Sequence, residues 1–374
     1  MTLWTARAAH RAWLDAEARR LVDFAAAADH PEHGFAWLDG SGAPLPEQGV
    51  HTWITCRVTH VAALAHLEGI PGASALADHG LRALAGPLRD PEHDGWFTAL
   101  DSRGTVADSR KEAYQHAFVL LAAASATVAG RPGARELLDA AAAVIEQRFW
   151  EEETGRCRES WDAAWHADEP YRGANSNMHL VEAFLAAFDA TGDRVWAERA
   201  LRIAHFFVHE VAAPRDWRLP EHFTPDWQVV ADYNTDDRAH PFRPYGVTVG
   251  HVLEWARLLV HVEAALPDPP SWLLADAEAM FAAAVARGWS VDGTEGFVYT
   301  LDYDDTPVVR SRMHWVVAEA ISAAAVLGQR TGDKRYEHWY RTWWDHAATY
   351  FVDTVQGSWH HELDPTLAPP PGGT

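Results

Sequence analysis

The sequence predicts an all-α fold, a toroid of helical hairpins forming a single domain over residues 1–374. Three observations lead there. Apolar residues recur at helical rather than strand spacing along most of the chain, and strand-like alternation is scarce and short. Gly-containing stops of one kind recur, each followed at once by a new amphipathic helix, at intervals of roughly 60–75 residues. Successive helices also alternate between two compositions, which inner and outer rings of a closed toroid explain.

The elements follow in order. A first helix is expected near 3–28, where MTLWTARAAHRAWLDAEARRL alternates charge with apolar residues at helical spacing. A helix near 50–69 carries HTWITCRVTH, and the stop EGIPGASAL leads into one near 73–87. A helix near 110–129 carries KEAYQHAF, and VAGRPGAREL leads into 132–149. The stretch 174–191 carries RGANSNMHLVEAF, and DATGDRVWAER opens 193–210. The helix near 247–264 carries GHVLEW, and the degenerate stop VEAALPDPPSW precedes 271–288. The helix near 311–329 carries MHWVVAE, and GQRTGDKRYEHW opens the last, near 333–351. A glycine stop followed by a fresh amphipathic pattern marks a helical hairpin. Helices starting near 50, 110, 174, 247 and 311 hold the polar and aromatic clusters, whereas those starting near 73, 132, 193, 271 and 333 read as coats of Ala, Leu and Arg. The long connections 150–173, 211–246 and 289–310 are rich in Trp, Asp, Tyr and His, and loops of that length are commonly functional.

Bulk properties narrow the partners. With 374 residues and 48% hydrophobic content the chain can bury a large core. A net charge of −22 argues against nucleic acid or an anionic membrane surface as partner. Cys56 and Cys157 are far apart and lack CxxC spacing, so neither a disulfide framework nor a zinc–thiolate site is expected. The N-terminal pattern is neither signal peptide nor membrane span, which leaves the cytoplasm as the default compartment. The 19 Trp and 22 His are both high for this length, and indole faces suit the C–H surfaces of sugar rings as well as the space between helices. Oligomeric state is not legible.

The chemistry concentrates on the first set of helices. On a helix over 174–191, Asn175, His179 and Glu182 share one face at i, i+4 and i+7, with Leu180, Phe184 and Leu185 toward the flank and back. Polar, titratable groups on an otherwise apolar helix must be paired or line a cavity. His251 with Glu254, and His314 and Trp315 with Glu319, repeat the arrangement. These helices are expected to present imidazoles, carboxylates and indoles to one polar pocket.

The motifs HTWITCRVTH, KEAYQHAF, RGANSNMHLVEAFLAAFDATGD, FRPYGVTVGHVLEWARLL, RMHWVVAEA and GSWHHELDP together resemble the N-acylglucosamine 2-epimerase superfamily, and within it most nearly the D-mannose isomerases. The resemblance covers nearly the whole chain in order. It implies an (α/α)6 barrel and a metal-independent aldose–ketose isomerase without cofactor. That enzyme would interconvert D-mannose and D-fructose, with D-lyxose and D-xylulose as further candidates, by His-mediated proton transfer through a cis-enediol. His251 matches a catalytic histidine of the family, used for ring opening and proton traffic at the O1/O2 end. Glu254, one turn on, would orient His251 or bind a sugar hydroxyl. Arg57 matches the arginine that grips substrate oxygens. His179, expected to be catalytic, and Asn175 match a substrate-contacting pair. Trp53, Tyr114, Trp315 and Glu319 match further pocket positions, and Arg243 in the FRPYG loop is the weakest match. Histidine suits the task because it titrates near neutrality without tuning.

Bland alternatives stand beside these. Alone, His179 reads as a hydrogen-bonded structural histidine and Arg57 as a strut paired to a carboxylate. His60, His66, His116 and His314 read as packing or supporting groups. His205, His209, His338 and His346, on outer helices, read as solvated. Rival functions are a zinc site, for which HExxH is lacking, a glycoside hydrolase using Glu254 and Glu319, a sugar 2-epimerase of the N-acylglucosamine or cellobiose type, and a non-catalytic sugar-binding homologue. The resemblance departs at the end. In the family a last inner helix with a second catalytic histidine follows the GSW…ELD element, while here GSWHHELDPTLAPPPGGT closes the chain and His360 and His361 do not match that residue. A C-terminally truncated barrel is therefore the expectation.

Overall fold

Eleven α-helices run through residues 3–30 and 32–370, the part of the chain that the computed structural model describes. They are α1 (Ala8–Ala25), α2 (Thr52–Leu67), α3 (Ala73–Ala85), α4 (Ala113–Val128), α5 (Ala134–Val144), α6 (Ala174–Thr191), α7 (Arg194–Ala204), α8 (Val249–Ala265), α9 (Trp272–Gly288), α10 (His314–Thr331) and α11 (Lys334–His346). All eleven expected helices are present, with ends displaced by between zero and six residues. After α11 a π-helical turn, Ala347–Phe351, extends the helix, and only short strands follow among the described residues through 370. None of the described helices is long and apolar enough to cross a membrane.

The chain falls into two compact units, residues 17–203 and residues 1–16 with 204–374. In the first, α2, α4 and α6 lie side by side, with α3 against α2 and α5 against α4. Helix α4 is buried nearly all round, from Ala113 to Ala126, as its predominantly apolar composition requires. Helix α7 rests on α6 through Trp196, whose ring meets Phe184 at 5.3 Å. In the second unit α8 and α10 lie side by side, with α9 on α8 and α11 on α10. The stacked indoles Trp339 and Trp343, with Phe281 and Phe297, fill this second core.

The connections hold a repeat that hydropathy does not reveal. After each of α1, α3, α5, α7, α9 and α11 the chain makes a tight turn closed by one side-chain oxygen. Asp39 accepts the N–H of Ser41 and Ala43, Asp101 those of Arg103 and Thr105, and Asp162 those of Ala164 and His166. In the other unit Asp302 accepts from Asp304 and Thr306, and Asp364 from Thr366 and Ala368. Thr224 takes the same role toward Gln228. Each is an Asx- or ST-type turn, the local competitor of helix that Asp and Thr offer.

Short strands deliver the chain from these turns into the even-numbered helices. Val50 and His51 pair with Leu100 and Ala99 just before α2, and Val247 and Thr248 pair with Leu301 and Thr300 just before α8. Gly49 and Gly246 make the approach feasible. Both have positive φ, and a Cβ on either would lie 2.1 Å from the carbonyl oxygen of Leu100 or Leu301. The hairpin through Gly34–Leu38 and Pro44–His51 is strand that helical periodicity had not predicted. Buried cations pin the entrances as well: Lys111 Nζ meets Asp90 at 2.7 Å before α4, and Arg312 meets Asp292 at 2.6 Å before α10.

Candidate active site

A common register places the polar residues. In α2, α4, α6, α8 and α10 the second and sixth positions are Trp53 and Arg57, Tyr114 and Phe118, Asn175 and His179, Gly250 and Glu254, and Trp315 and Glu319. Positions i and i+4 lie one above the other on a helix face. Each helix thus offers one such pair in its first two turns. His251 stands at the third position of α8.

In the unit of residues 17–203 these pairs interlock. The Arg57 guanidinium lies 4.3 Å from the Phe118 ring centroid and 5.4 Å from that of Trp53, and its Nη2 donates to the Tyr114 hydroxyl at 3.2 Å. Among the described residues no carboxylate lies within ion-pair distance of Arg57, so it is not the strut that a buried arginine would be. Its fork of donors stays free for oxygens. His179 packs on Tyr114 at 5.2 Å and Phe118 at 4.8 Å, with Nδ1 3.9 Å from Glu182. Asn175 Oδ1 is buried without a hydrogen-bond partner among the described residues. His60 bonds Ser125 Oγ at 2.7 Å, and burial lowers its pKa against the pull of Glu182.

The second unit holds the other cluster. His251 Nδ1 lies 2.8 Å from Glu221 Oε1, both residues being buried. Burial pulls the imidazole pKa down. The charge and hydrogen bond of Glu221, then Glu254 and Glu319, outweigh it and hold the pKa above the ordinary 6.5. The carboxylate bonded to His251 is therefore Glu221, thirty residues upstream, so of the two roles expected for Glu254 the orienting one falls to Glu221. Glu254 faces Arg257 at 3.8 Å, and Arg257 forms a two-pronged pair with Glu319 at 2.8 and 3.3 Å. Trp315 lies 5.4 Å from the His251 ring, braced edge-on by Tyr299. Sequence reasoning missed Glu221 and Arg257. Arg257, at i+3 from Glu254, carried a usable signal, whereas Glu221 carried none. Two carboxylates held on one guanidinium are not the opposed acid and base of a glycoside hydrolase.

Arg243 sits in the loop before α8, where Nη1 reaches the Tyr233 hydroxyl at 3.4 Å and its carbonyl accepts from Asn234. Other histidines divide as follows. His116 is a buried packing residue, as expected, and the His314 ring lies 5.0 Å from that of His361, tilted by 52°. His338 is exposed. His346 is not solvated: it is 2% exposed and bonds Glu295 at 2.9 Å. It follows Trp343 by three positions and so shares the buried face of α11. His209 and His205, partly exposed, pair with Asp276 and Glu210.

Gly250 is required by its neighbour. A Cβ there would lie 2.2 Å from Trp315 Cζ3. In an open helix Gly→Ala gains up to about 1 kcal/mol. Here Gly250→Ala will instead cost about 1–3 kcal/mol, the range for overpacking. A urea unfolding midpoint that rises would contradict this contact.

Known proteins resemble the chain along most of its length. The family described as N-acylglucosamine 2-epimerase (GlcNAc 2-epimerase) matches residues 34–371. A D-mannose isomerase of Pseudomonas cannabina pv. alisalensis is 50% identical over 366 residues, covering 96% of this chain and 87% of that protein. A crystal structure of D-mannose isomerase superposes with a TM-score of 0.91 at 30% identity, over 97% of this chain and 92% of the other. A cellobiose 2-epimerase from Spirochaeta thermophila superposes with a TM-score of 0.84 at 23% identity, again over 97% and 92%, and shows the fold alone. The fold class is that of these structures, the all-α (α/α)6 barrel.

Proposed function

The chain belongs to the N-acylglucosamine 2-epimerase family and is a sugar isomerase, and from that premise we propose that it interconverts D-mannose and D-fructose through a cis-enediol without a metal. The observation that carries this reading is the His251 site. An imidazole is buried yet kept basic by three carboxylates, and a general base should titrate near the working pH. Support also comes from the 50% identical relative, itself named a D-mannose isomerase.

The chemistry can be followed atom by atom. The open-chain aldose has its carbonyl at C1. Breaking the C2–H bond leaves the electron pair to form C1=C2, while O1 gains a proton, giving the enediol. Loss of the O2 proton then makes the C2 carbonyl, and C1 takes a proton to complete the ketose. His251 is assigned the proton traffic at O1 and O2, including ring opening. Charge developing on these oxygens needs fixed donors, and Arg57, which meets no carboxylate among the described residues, is assigned that role with the Tyr114 hydroxyl beside it. Asn175 Oδ1, buried without a partner among the described residues, would accept from a sugar hydroxyl. His179, Glu254, Trp53, Trp315 and Glu319 complete the assigned set, with Arg243 a loop contact.

Incubation with D-mannose in D2O, with EDTA present, tests the reading by NMR. The expected product is D-fructose carrying deuterium at C1, formed as fast with chelator as without. D-Glucose as first product would show 2-epimerisation instead, and no change in any aldose would rule out both reactions.

A further inference from the structure

We propose that Glu221 is a positioning residue for His251: it holds the imidazole as the Nδ1–H tautomer and leaves Nε2 as the nitrogen that exchanges protons with the sugar. The inference rests on the isomerase reading above and adds to it the group that fixes which nitrogen works.

The geometry is specific. Glu221 Oε1 accepts from His251 Nδ1 at 2.8 Å, and the residue is 3% exposed. Nε2 makes no hydrogen bond to any described residue. A buried carboxylate costs several kcal/mol in desolvation, and such pairs seldom stabilise a fold more than an apolar pair of similar volume would. Stability alone therefore gives poor reason for a carboxylate at this place. A carboxylate that locks a histidine tautomer and supports the imidazolium is, by contrast, a recurrent device of proton-transfer sites.

The neighbouring carboxylates do not duplicate it. Glu254 shares α8 with His251 and Glu319 comes from α10, and both face Arg257, whose charge offsets theirs. Trp315 covers the ring without an acceptor, and Tyr303 faces Glu221 as a neutral phenol whose pKa burial raises. Glu221 is the one carboxylate hydrogen-bonded to the imidazole among the described residues. It is also held in place from behind. The next residue, His222, bonds the Pro244 carbonyl at 2.8 Å and stacks on Tyr233 at 4.3 Å, so the segment is anchored immediately after Glu221. The sequence distance hid the pair, since nothing in PEHF marks Glu221 as a partner of a helix thirty residues on.

The test compares Glu221→Gln, Glu221→Asp and His251→Ala in the full chain, with kcat and KM for D-mannose read across pH. Gln keeps an acceptor oxygen and removes the charge. Its kcat should fall roughly 10²- to 10⁴-fold with KM changed less than about threefold, as at other sites where the carboxylate behind a catalytic histidine is neutralised. The acid limb of its pH profile should move to lower pH, because the imidazolium loses its strongest support. Asp should restore part of kcat and the original acid limb. An unshifted acid limb in Glu221→Gln, whether kcat is normal or reduced, overturns the proposal while an inactive His251→Ala preserves the isomerase site. A fully active His251→Ala instead overturns the site reading itself. Should Glu221→Gln fail to fold, 15N spectra of the imidazole in the unaltered enzyme decide the matter. A protonated Nδ1 and bare Nε2 above the pKa support the assignment, and the reverse tautomer sinks it.

Discussion

His251→Ala will lose D-mannose turnover by about 10²- to 10⁴-fold while keeping its helical circular dichroism, the range for loss of a positioned general acid–base group. The nearby carboxylates are committed: Glu221 to the ring itself, Glu254 and Glu319 to Arg257. His179 packs on Tyr114 and Phe118. The substitution also has a structural cost. It leaves Glu221 buried without its partner, and an uncompensated buried charge costs about 3–5 kcal/mol unless the group takes up a proton or draws in water. A protein of ordinary stability, about 5–15 kcal/mol, survives that loss at low temperature. Turnover should therefore be compared at a temperature where the variant's spectrum matches the parent's. Near-normal rates in a folded His251→Ala protein would remove His251 from the mechanism and with it the assignment of the α8 cluster.

What the sequence disclosed follows the range of the interactions involved. Helices are local, and their 3.6-residue pattern with glycine stops located all eleven, α6 at its observed limits. The entrances were read too early. Lys111–Glu112 and Arg312–Met313 are two-residue strands whose residues continue the helical pattern, and only pairing to distant partners makes them strand. The faces bearing Asn175 and His179, and Trp315 and Glu319, were legible because i and i+4 fall within one helix, whereas Trp53 and Arg57 were reached only through the family resemblance. The shared second-and-sixth register was hidden by those same misplaced starts. Glu221, whose importance lies in a bond to a residue thirty positions away, has no local signature. His346 was misjudged for another reason: charge in KRYEHWYRTWWDH obscured the buried stripe Tyr336, Tyr340, Trp343 and His346.

Acid should destabilise the protein through a histidine that does no chemistry. His116 is fully buried, donates from Nδ1 to the Glu112 carbonyl at 2.7 Å and accepts the Trp96 N–H on Nε2 at 3.2 Å. Both ring nitrogens are thus used in the neutral form, and the ring ties the loop carrying Asp90 and Gly95 to the start of α4. Burial, helped by the Lys111 charge and opposed by the Glu112 carbonyl, pushes its pKa down to about 3. The folded pKa lies below the unfolded 6.5, so the unfolded chain binds a proton that the folded one refuses. This contribution to stability is complete above pH 6.5 and shrinks as pH falls toward 3, by about 2 kcal/mol at pH 5. His251, with its pKa raised, acts in the opposite sense: its contribution is complete below 6.5 and fades as pH rises past the folded value. Other histidines lowered by burial, such as His60 and His222, act with His116, so the unaltered protein alone cannot isolate it. A difference between two proteins can. His116→Gln, which does not titrate, should be the less stable at pH 7.5 by about 1–3 kcal/mol for its disturbed hydrogen bonds. That gap in unfolding free energy should narrow by about 2 kcal/mol between pH 7.5 and 5. A gap that stays constant with pH would mean that His116 accepts its proton in the folded state, which the two hydrogen bonds as drawn do not allow.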